Sequence, residues 1–172
     1  MKRYVLIFGL VLGTMLAGHM VYMVNVVRNN PSFEGNDVVG YAAMVIVFSL
    51  TFFGILNYRN KDLGGVISLG QGFKTGALIA LLGSTIYVVT WLFYYYLAVP
   101  DFVDKYAQHV ILMAEKHGAA AAEIAAKTEE MEEFKEMYRN PLFVVLSSYM
   151  EVLPIGLVVA FVSSLILKKK VK

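Results

Sequence analysis

Four long apolar runs alternate with polar segments along the chain, and this pattern predicts an all-α membrane protein. A helix needs about 20 apolar residues to cross the hydrocarbon core of a bilayer. Each run is long enough for this, and too apolar to be a core helix of a small soluble protein. The predicted spans are Tyr4–Val27, Val38–Asn57, Thr75–Ala98 and Pro141–Leu167. They predict a single membrane domain over residues 1–172.

The stretch between the third and fourth runs is the only sizeable segment outside the predicted membrane. Apolar residues recur in it at helical spacing, and Gly118 suits the end of a helix. We therefore predict an amphipathic helical hairpin over about residues 101–139. Its second half is rich in glutamate, which is typical of a solvated acidic face. Binding of a cation or a partner is the alternative. The apolar positions are Phe102, Tyr106, Val110 and Met113, then Ile124, Thr128, Met131 and Tyr138.

Composition agrees with a membrane protein. The chain is 58% hydrophobic and 16% charged, with a mean hydropathy of +0.62, whereas soluble domains are about 45–50% apolar and about 25% charged. There is no cysteine, which excludes disulfides, thiolate metal sites and cysteine nucleophiles. The basic residues lie at the predicted membrane edges, so no nucleic-acid partner is expected.

The placement of lysine and arginine predicts the orientation in the membrane. One side carries most of the basic residues and a single acid, Asp62, whereas the other carries eleven acids. Basic residues favour the cytoplasmic side, so both termini are predicted to be cytoplasmic. The cytoplasmic set is Lys2, Arg3, Arg59, Lys61, Lys74, Lys168, Lys169, Lys170 and Lys172; the outer set is Arg28, Lys105, Lys116, Lys127, Lys135 and Arg139.

Small residues recur every four positions in two places. Gly9, Gly13 and Ala17 form such a stripe in the first span, and Gly72 and Gly76 repeat the spacing at the start of the third. Small residues allow helix backbones to approach closely in membranes. We interpret both stripes as helix packing, either within one subunit or across a dimer.

The link before the third span has a structural interpretation. Gly65 and Gly70 have the spacing of a phosphate-binding loop, but Gln71 stands where that motif requires lysine. Ser68 and Gln71 instead have the spacing of a capping box. The sequence therefore predicts a helix start here and no nucleotide site.

Aromatic residues close the third span at its outer end. They are typical of the interfacial belt, where amphipathic rings favour the level of the lipid headgroups. An aromatic ligand site is the alternative. The residues are Trp91, Phe93, Tyr94, Tyr95 and Tyr96.

Glu151 is the only acidic residue within the four apolar runs. A carboxylate in a bilayer core costs roughly 2.5–3.5 kcal/mol on insertion scales, so such a residue is a candidate functional site. Helical spacing places Ser147, Ser148 and Pro154 on the same side. Pro154 has no backbone N–H, so the carbonyl of Met150 is left available. The sequence therefore predicts a kink in this helix.

Depth in the membrane suggests a partner for Glu151. His19 and Glu151 each lie three or four residues to the outer side of the middle of their spans, roughly 5 Å above the midplane at the helical rise. A contact between them is geometrically feasible, and Tyr22, one turn after His19, could join it. Either a neutral, hydrogen-bonded carboxyl holds the first and fourth helices together, or the cluster is a proton- or cation-coupled site.

The chain resembles the small bacterial membrane proteins catalogued as domain of unknown function 4199. The resemblance implies four membrane spans, and it brings no activity, substrate or catalytic residue. Asn60 stands where an acid is common in that family. The stretches that carry the resemblance are Phe52-Phe53-Gly54-Ile55, Tyr58-Arg59-Asn60-Lys61, Gly64 through Gly76, Tyr87…Trp91…Tyr94-Tyr95, Pro100-Asp101-Phe102, Asn140-Pro141-Leu142-Phe143 and Glu151 through Leu157.

These observations favour a non-enzymatic scaffold or accessory protein of the bacterial inner membrane. Its expected partners are the lipid bilayer and either a second copy of the chain or another membrane protein. The alternative is a small proton- or cation-coupled transporter or channel subunit that uses Glu151. No nucleophile is matched with a base, and His109 and His117 are too far apart for a typical metal site. We therefore predict no catalytic residue, no cofactor and no metal ligand.

Overall fold

The computed structural model describes residues 1–30 and 33–169. Pro31, between the first and second predicted spans, lies outside these described residues, as do Lys170 and Lys172 of the predicted cytoplasmic set. The elements are all helices: α1 Lys2–Asn29, α2 Asp37–Phe48, α3 Leu50–Asp62, α4 Leu69–Leu97, α5 Phe102–Lys116, α6 Ala121–Tyr138 and α7 Pro141–Leu167.

Four helical stretches are long and apolar enough to cross a membrane. They are Lys2–Asn29, Val38–Asp62, Leu69–Leu97 and Pro141–Leu167. The first three extend beyond the predicted apolar runs, because helical hydrogen bonding continues into polar flanking residues that hydropathy leaves out. The second stretch consists of α2 and α3. They meet at Ser49, whose hydroxyl donates to the carbonyl of Ile46 at 2.6 Å.

Side-chain caps fix where several helices begin. The Ser68 side chain accepts from the backbone of Gln71, and the Gln71 side chain accepts from the backbone of Ser68. This capping box satisfies two amide groups at the start of α4, and it confirms the prediction for the link. Asn36 and Asn140 cap α2 and α7 by accepting from backbone amides.

The small-residue stripes pack within the chain, against α4 and α7. A Cβ atom at Gly9 would lie 2.7 Å from a methyl carbon of Leu82, and one at Gly13 would lie 2.7 Å from Ile86. Gly72 lies against Ser164 and Gly76 against Ala160. Ala17 is buried in the same stripe of α1. The glycines thus let α1 and α7 approach α4 from two sides.

The second span fills the remaining side of the bundle unevenly. Its α3 half packs against α1, α4 and α7, whereas its α2 half packs mainly on α7 and α1. At the junction, Phe48 is fully buried. Because α3 packs against three helices and α2 mainly against two, the bundle is tightly packed at the level of α3 and looser at the level of α2.

Helices α5 and α6 cover one end of the bundle, which is called the α5–α6 end below. They are joined through Gly118, whose φ of +74° suits glycine, and they pack against each other, on α1 and on α7. An ion pair between Lys135 and Asp104 at 3.3 Å connects the two helices. Asp101, just before α5, pairs with Arg28 of α1 at 3.2 Å.

At the opposite end, the last described residues are tied to the link between α3 and α4. Ile67 and Lys169 exchange backbone hydrogen bonds at 2.9 and 3.2 Å. The guanidinium of Arg59 donates to the carbonyl of Leu167 at 3.2 Å. Ile67 is buried in a small cluster with Ile55 and Leu167. The link is therefore a packed part of the fold.

Candidate functional site

A cavity of about 450 Å³ lies between the four spans at the α5–α6 end. It occupies the space left where α2 stands apart from α4, and both α5 and α6 contribute to its wall. Its lining is mainly apolar and aromatic, which is the usual character of a small-molecule site. The aromatic lining residues are Tyr87, Trp91, Phe102, Tyr106, Phe134 and Tyr138.

Glu151 lines the wall of this cavity, and the residue as a whole is exposed. The hydroxyl of Tyr87 donates to its Oε2 at 3.4 Å, a long hydrogen bond between α4 and α7. Ser147 and Ser148 line the same cavity, but both hydroxyls donate to the carbonyl of Val144, at 3.1 and 2.7 Å. The serines therefore do not direct those protons at the carboxylate.

The structure places the other predicted members of the polar cluster differently. His19 lines the cavity, yet no hydrogen bond or ion pair in the described part of the chain joins it to Glu151. Tyr22 is 65% exposed and does not line the cavity. The carboxyl group is thus linked to the third span through Tyr87, where the depth argument suggested the first span through His19. Pro154 lies inside α7, which continues through it.

Sequence reasoning missed Tyr87 because of where it placed the third span. Tyr87 lies in the middle of the apolar run Thr75–Ala98. In the folded helix it lies four residues beyond the middle residue, Gly83. Glu151 lies three residues from Pro154, the middle of α7. The capping box at Ser68 was the signal that could have revealed Tyr87. It places the start of the helix before Thr75, so that the middle of the helix shifts from Tyr87 to Gly83. Tyr87 and Glu151 then have matching depths.

Trp91 corrects the interpretation of the aromatic belt. Phe93 and Tyr96 are exposed as a belt requires, but Trp91 is only 5% exposed. Its indole Nε1 donates to the hydroxyl of Tyr138 at 3.0 Å. This buried bond satisfies the hydrogen-bond donor of the indole. The ring can therefore lie inside the bundle, where it lines the cavity. Burial raises the pKa of the Tyr138 hydroxyl to about 12.

Aromatic contacts connect this part of the cavity to α5 and α6. Phe102 of α5 meets Trp91 edge-on with ring centroids 5.0 Å apart, and Tyr138 of α6 meets Tyr95 edge-on at 5.3 Å. Such pairs contribute about 0.5–1.5 kcal/mol each beyond burial of their area. The α5–α6 pair is therefore fixed over the cavity by its own aromatic side chains.

The cavity does not continue to the other end of the bundle. Beyond Glu151, the fully buried side chains of Phe48, Ala80 and Val152 fill the space between α2, α4 and α7. Gly156 accommodates the Phe48 ring, since a Cβ there would lie 2.5 Å from its Cε1. We call this group (Phe48, Ala80, Val152 and Gly156) the packed plug. The cavity therefore ends at the packed plug.

A second, more open cavity of about 690 Å³ lies between α1 and the α5–α6 pair. Its lining includes Glu34, His109, His117 and Glu123. The His117 Nδ1 lies 2.8 Å from the carbonyl of Met113, and Glu34 pairs with Lys116. No group of three or more potential metal ligands is present among the described residues.

The fold defines a class of protein: an all-helical chain with four helices suited to cross a membrane, and a carboxyl group in a cavity between them. The chain belongs to the family described as Protein of unknown function (DUF4199), whose model matches residues 3–169. No curated protein and no solved structure matches the chain.

Proposed function

We propose that the protein is a non-enzymatic accessory protein of the bacterial inner membrane that holds a small ligand in its cavity. In this proposal the four candidate spans cross the bilayer with both termini in the cytoplasm. The α5–α6 pair is then an extracytoplasmic hairpin above the cavity. The charge asymmetry between the two ends supports this arrangement.

The observation that carries the proposal is a cavity that ends at the packed plug. A transport path has to reach both faces of the membrane, whereas this cavity ends at the packed plug just beyond Glu151. A volume of about 450 Å³ lies within the range of small-molecule sites. The geometry thus favours holding a ligand over conducting one.

The lining also favours binding over catalysis. The two serines donate their hydroxyl protons to a backbone carbonyl, and no hydrogen bond in the described part of the chain connects either of them to His19. Nucleophilic catalysis requires a nucleophile hydrogen-bonded to its base. Glu151 is the one carboxyl group of the lining, and no hydrogen bond among the described residues joins it to His19, so the two do not form a matched acid–base pair.

One observation favours a second function, a proton- or cation-coupled transporter or channel subunit. Glu151 has no cationic partner among the ion pairs of the described residues. An unpaired carboxyl group inside a membrane bundle is a typical coupling site. In this alternative, a rearrangement of the packed plug or a second copy of the chain completes the path.

Flux through proteoliposomes separates the two functions. We expect purified protein to pass protons, sodium and potassium no faster than empty liposomes, because the plug closes the path. The matched variants are Glu151→Gln, inside the cavity, and Glu133→Gln, on the exposed surface of α6. Both should remain folded, since a glutamine carbonyl still accepts from Tyr87. Flux in the wild type and in Glu133→Gln that is lost in folded Glu151→Gln would establish the transporter and refute our proposal.

A further inference from the structure

We infer that the cavity selects a hydrophobic organic cation: an apolar, preferably aromatic body carrying one quaternary or protonated nitrogen. The inference rests on the proposed function and names its ligand class. Three features of the cavity support it: the single negative charge of its lining, its aromatic side chains and its lack of a second carboxylate that could ligate a metal ion.

The charge of the lining is the first feature. Among the residues that line the cavity, Glu151 is the only carboxylate, there is no lysine or arginine, and His19 forms no described ion pair with Glu151. The one described donor to the Glu151 carboxyl group is Tyr87, at 3.4 Å. A carboxyl group beside an apolar cavity is stabilised in its charged form by a nearby cation. A ligand that brings one positive charge supplies the missing partner.

The aromatic side chains are the second feature. Tyr87 and Trp91 lie one helical turn apart on α4, and Tyr138 is hydrogen-bonded to Trp91. Ring faces attract cations, with tryptophan the most effective and quaternary ammonium ligands the best-known case. Met20 and Met44 line the opposite side, and flexible methionine side chains adapt to varied apolar shapes. The lining therefore suits a cation with an apolar body.

The third feature argues against an inorganic ion. Calcium takes six to eight oxygen ligands and magnesium requires six. The cavity offers a single carboxylate, that of Glu151, and its other side-chain oxygens are neutral hydroxyls, including those of Ser147 and Ser148. No group of three metal-ligating side chains occurs in the described chain. A cation that needs only one anionic contact fits the lining better.

The fluorescence of Trp91 provides a direct test. The chain contains one tryptophan, and that residue lines the cavity, so its emission reports occupancy. We would titrate the purified full-length protein in nanodiscs with benzyltrimethylammonium. A parallel titration uses neopentylbenzene, the neutral compound in which carbon replaces the nitrogen. We expect the cation to bind about tenfold more tightly, a difference that close charge pairs across interfaces can reach.

Single substitutions test whether Glu151 is responsible for the preference for the cation. Glu151→Gln should remove the preference for the cation and leave neopentylbenzene binding unchanged, while Glu133→Gln should change neither. Ser147→Leu, which narrows the cavity, should weaken both probes. Equal affinity of the wild type for the two probes would refute the inference and leave the ligand-holding function standing. Binding of neither probe would refute both. The wild-type comparison decides the inference even where Glu151→Gln does not fold.

Discussion

At the scale of single residues, the bundle depends on glycines that leave room for a neighbouring side chain. Gly156 is the clearest case, because a methyl carbon there would lie 2.5 Å from the Phe48 ring and 2.8 Å from the Ala80 Cβ. Gly18, on the exposed face of α1, has nothing within 4 Å. The two positions are both inside helices and differ in their packing.

We predict that Gly156→Ala destabilises the fold and that Gly18→Ala does not. Overpacking a well-packed core costs typically about 1–3 kcal/mol, whereas alanine at an open helical position is neutral or stabilising by up to about 1 kcal/mol. Unfolding by sodium dodecyl sulfate in mixed micelles measures both. Equal stability of the two variants would show that the packed plug is looser than the structure indicates.

The same scale shows what sequence alone could supply about the site. Glu151 was predictable, because a carboxylate in an apolar run is costly enough to stand out. Tyr87 was missed, since a tyrosine in a membrane span is ordinary until its depth is matched to that of a partner. His19 shares the cavity with Glu151, but matching depth does not fix which way two side chains point around their helices.

At the scale of elements, the α5–α6 pair is held to the spans by ion pairs as well as aromatic contacts. The pKa of the Asp101 carboxyl is held below its usual value, first by Lys105 and then by Arg28. The hydrogen bond and charge of Lys116 lower the pKa of Glu34 in the same way. A lowered carboxyl pKa contributes stability above the unfolded pKa, and that stability is lost as pH falls through the folded pKa.

We therefore predict that α5 and α6 stay protected from hydrogen exchange at neutral and mildly acidic pH. Protection should fall only when the pH drops below the usual carboxyl range. Hydrogen exchange of residues 102–138, measured against α4 as an internal reference, tests this. Asp101→Asn should reproduce part of the loss at neutral pH. Loss of protection near neutral pH, where histidine titrates, would contradict the prediction.

The elements themselves were largely predictable from the sequence. Apolar length found all four candidate spans, and the serine–glutamine spacing found the capping box at Ser68. Trp91 was assigned to the membrane interface, because its burial depends on Tyr138, which lies 47 residues later in the chain. Such long-range partners are invisible to local patterns. The looseness of α2 relative to α3 also depends on packing that periodicity does not encode.

At the scale of the whole molecule, the open question is which end of the bundle faces the cytoplasm. The charge pattern predicts that the α5–α6 end faces outward. Because the chain has no cysteine, single introduced cysteines can be labelled without background. We expect Glu130→Cys to react with a membrane-impermeant maleimide on intact spheroplasts, and Lys61→Cys to react only after permeabilisation. The reverse pattern would invert the predicted topology.

The contacts between α7 and the earlier helices have a consequence for the order in which the bundle forms. Phe48 packs at Gly156, Gly76 lies against Ala160, and Arg59 donates to Leu167. Since α7 follows the other helices in the chain, the first three candidate spans are synthesised before these partners exist. A nascent chain ending before Pro141 leaves the α3–α4 link without its contacts to α7 and the cavity without its carboxylate. Synthesis of α7 is therefore the step after which the four-helix bundle and its cavity can form together.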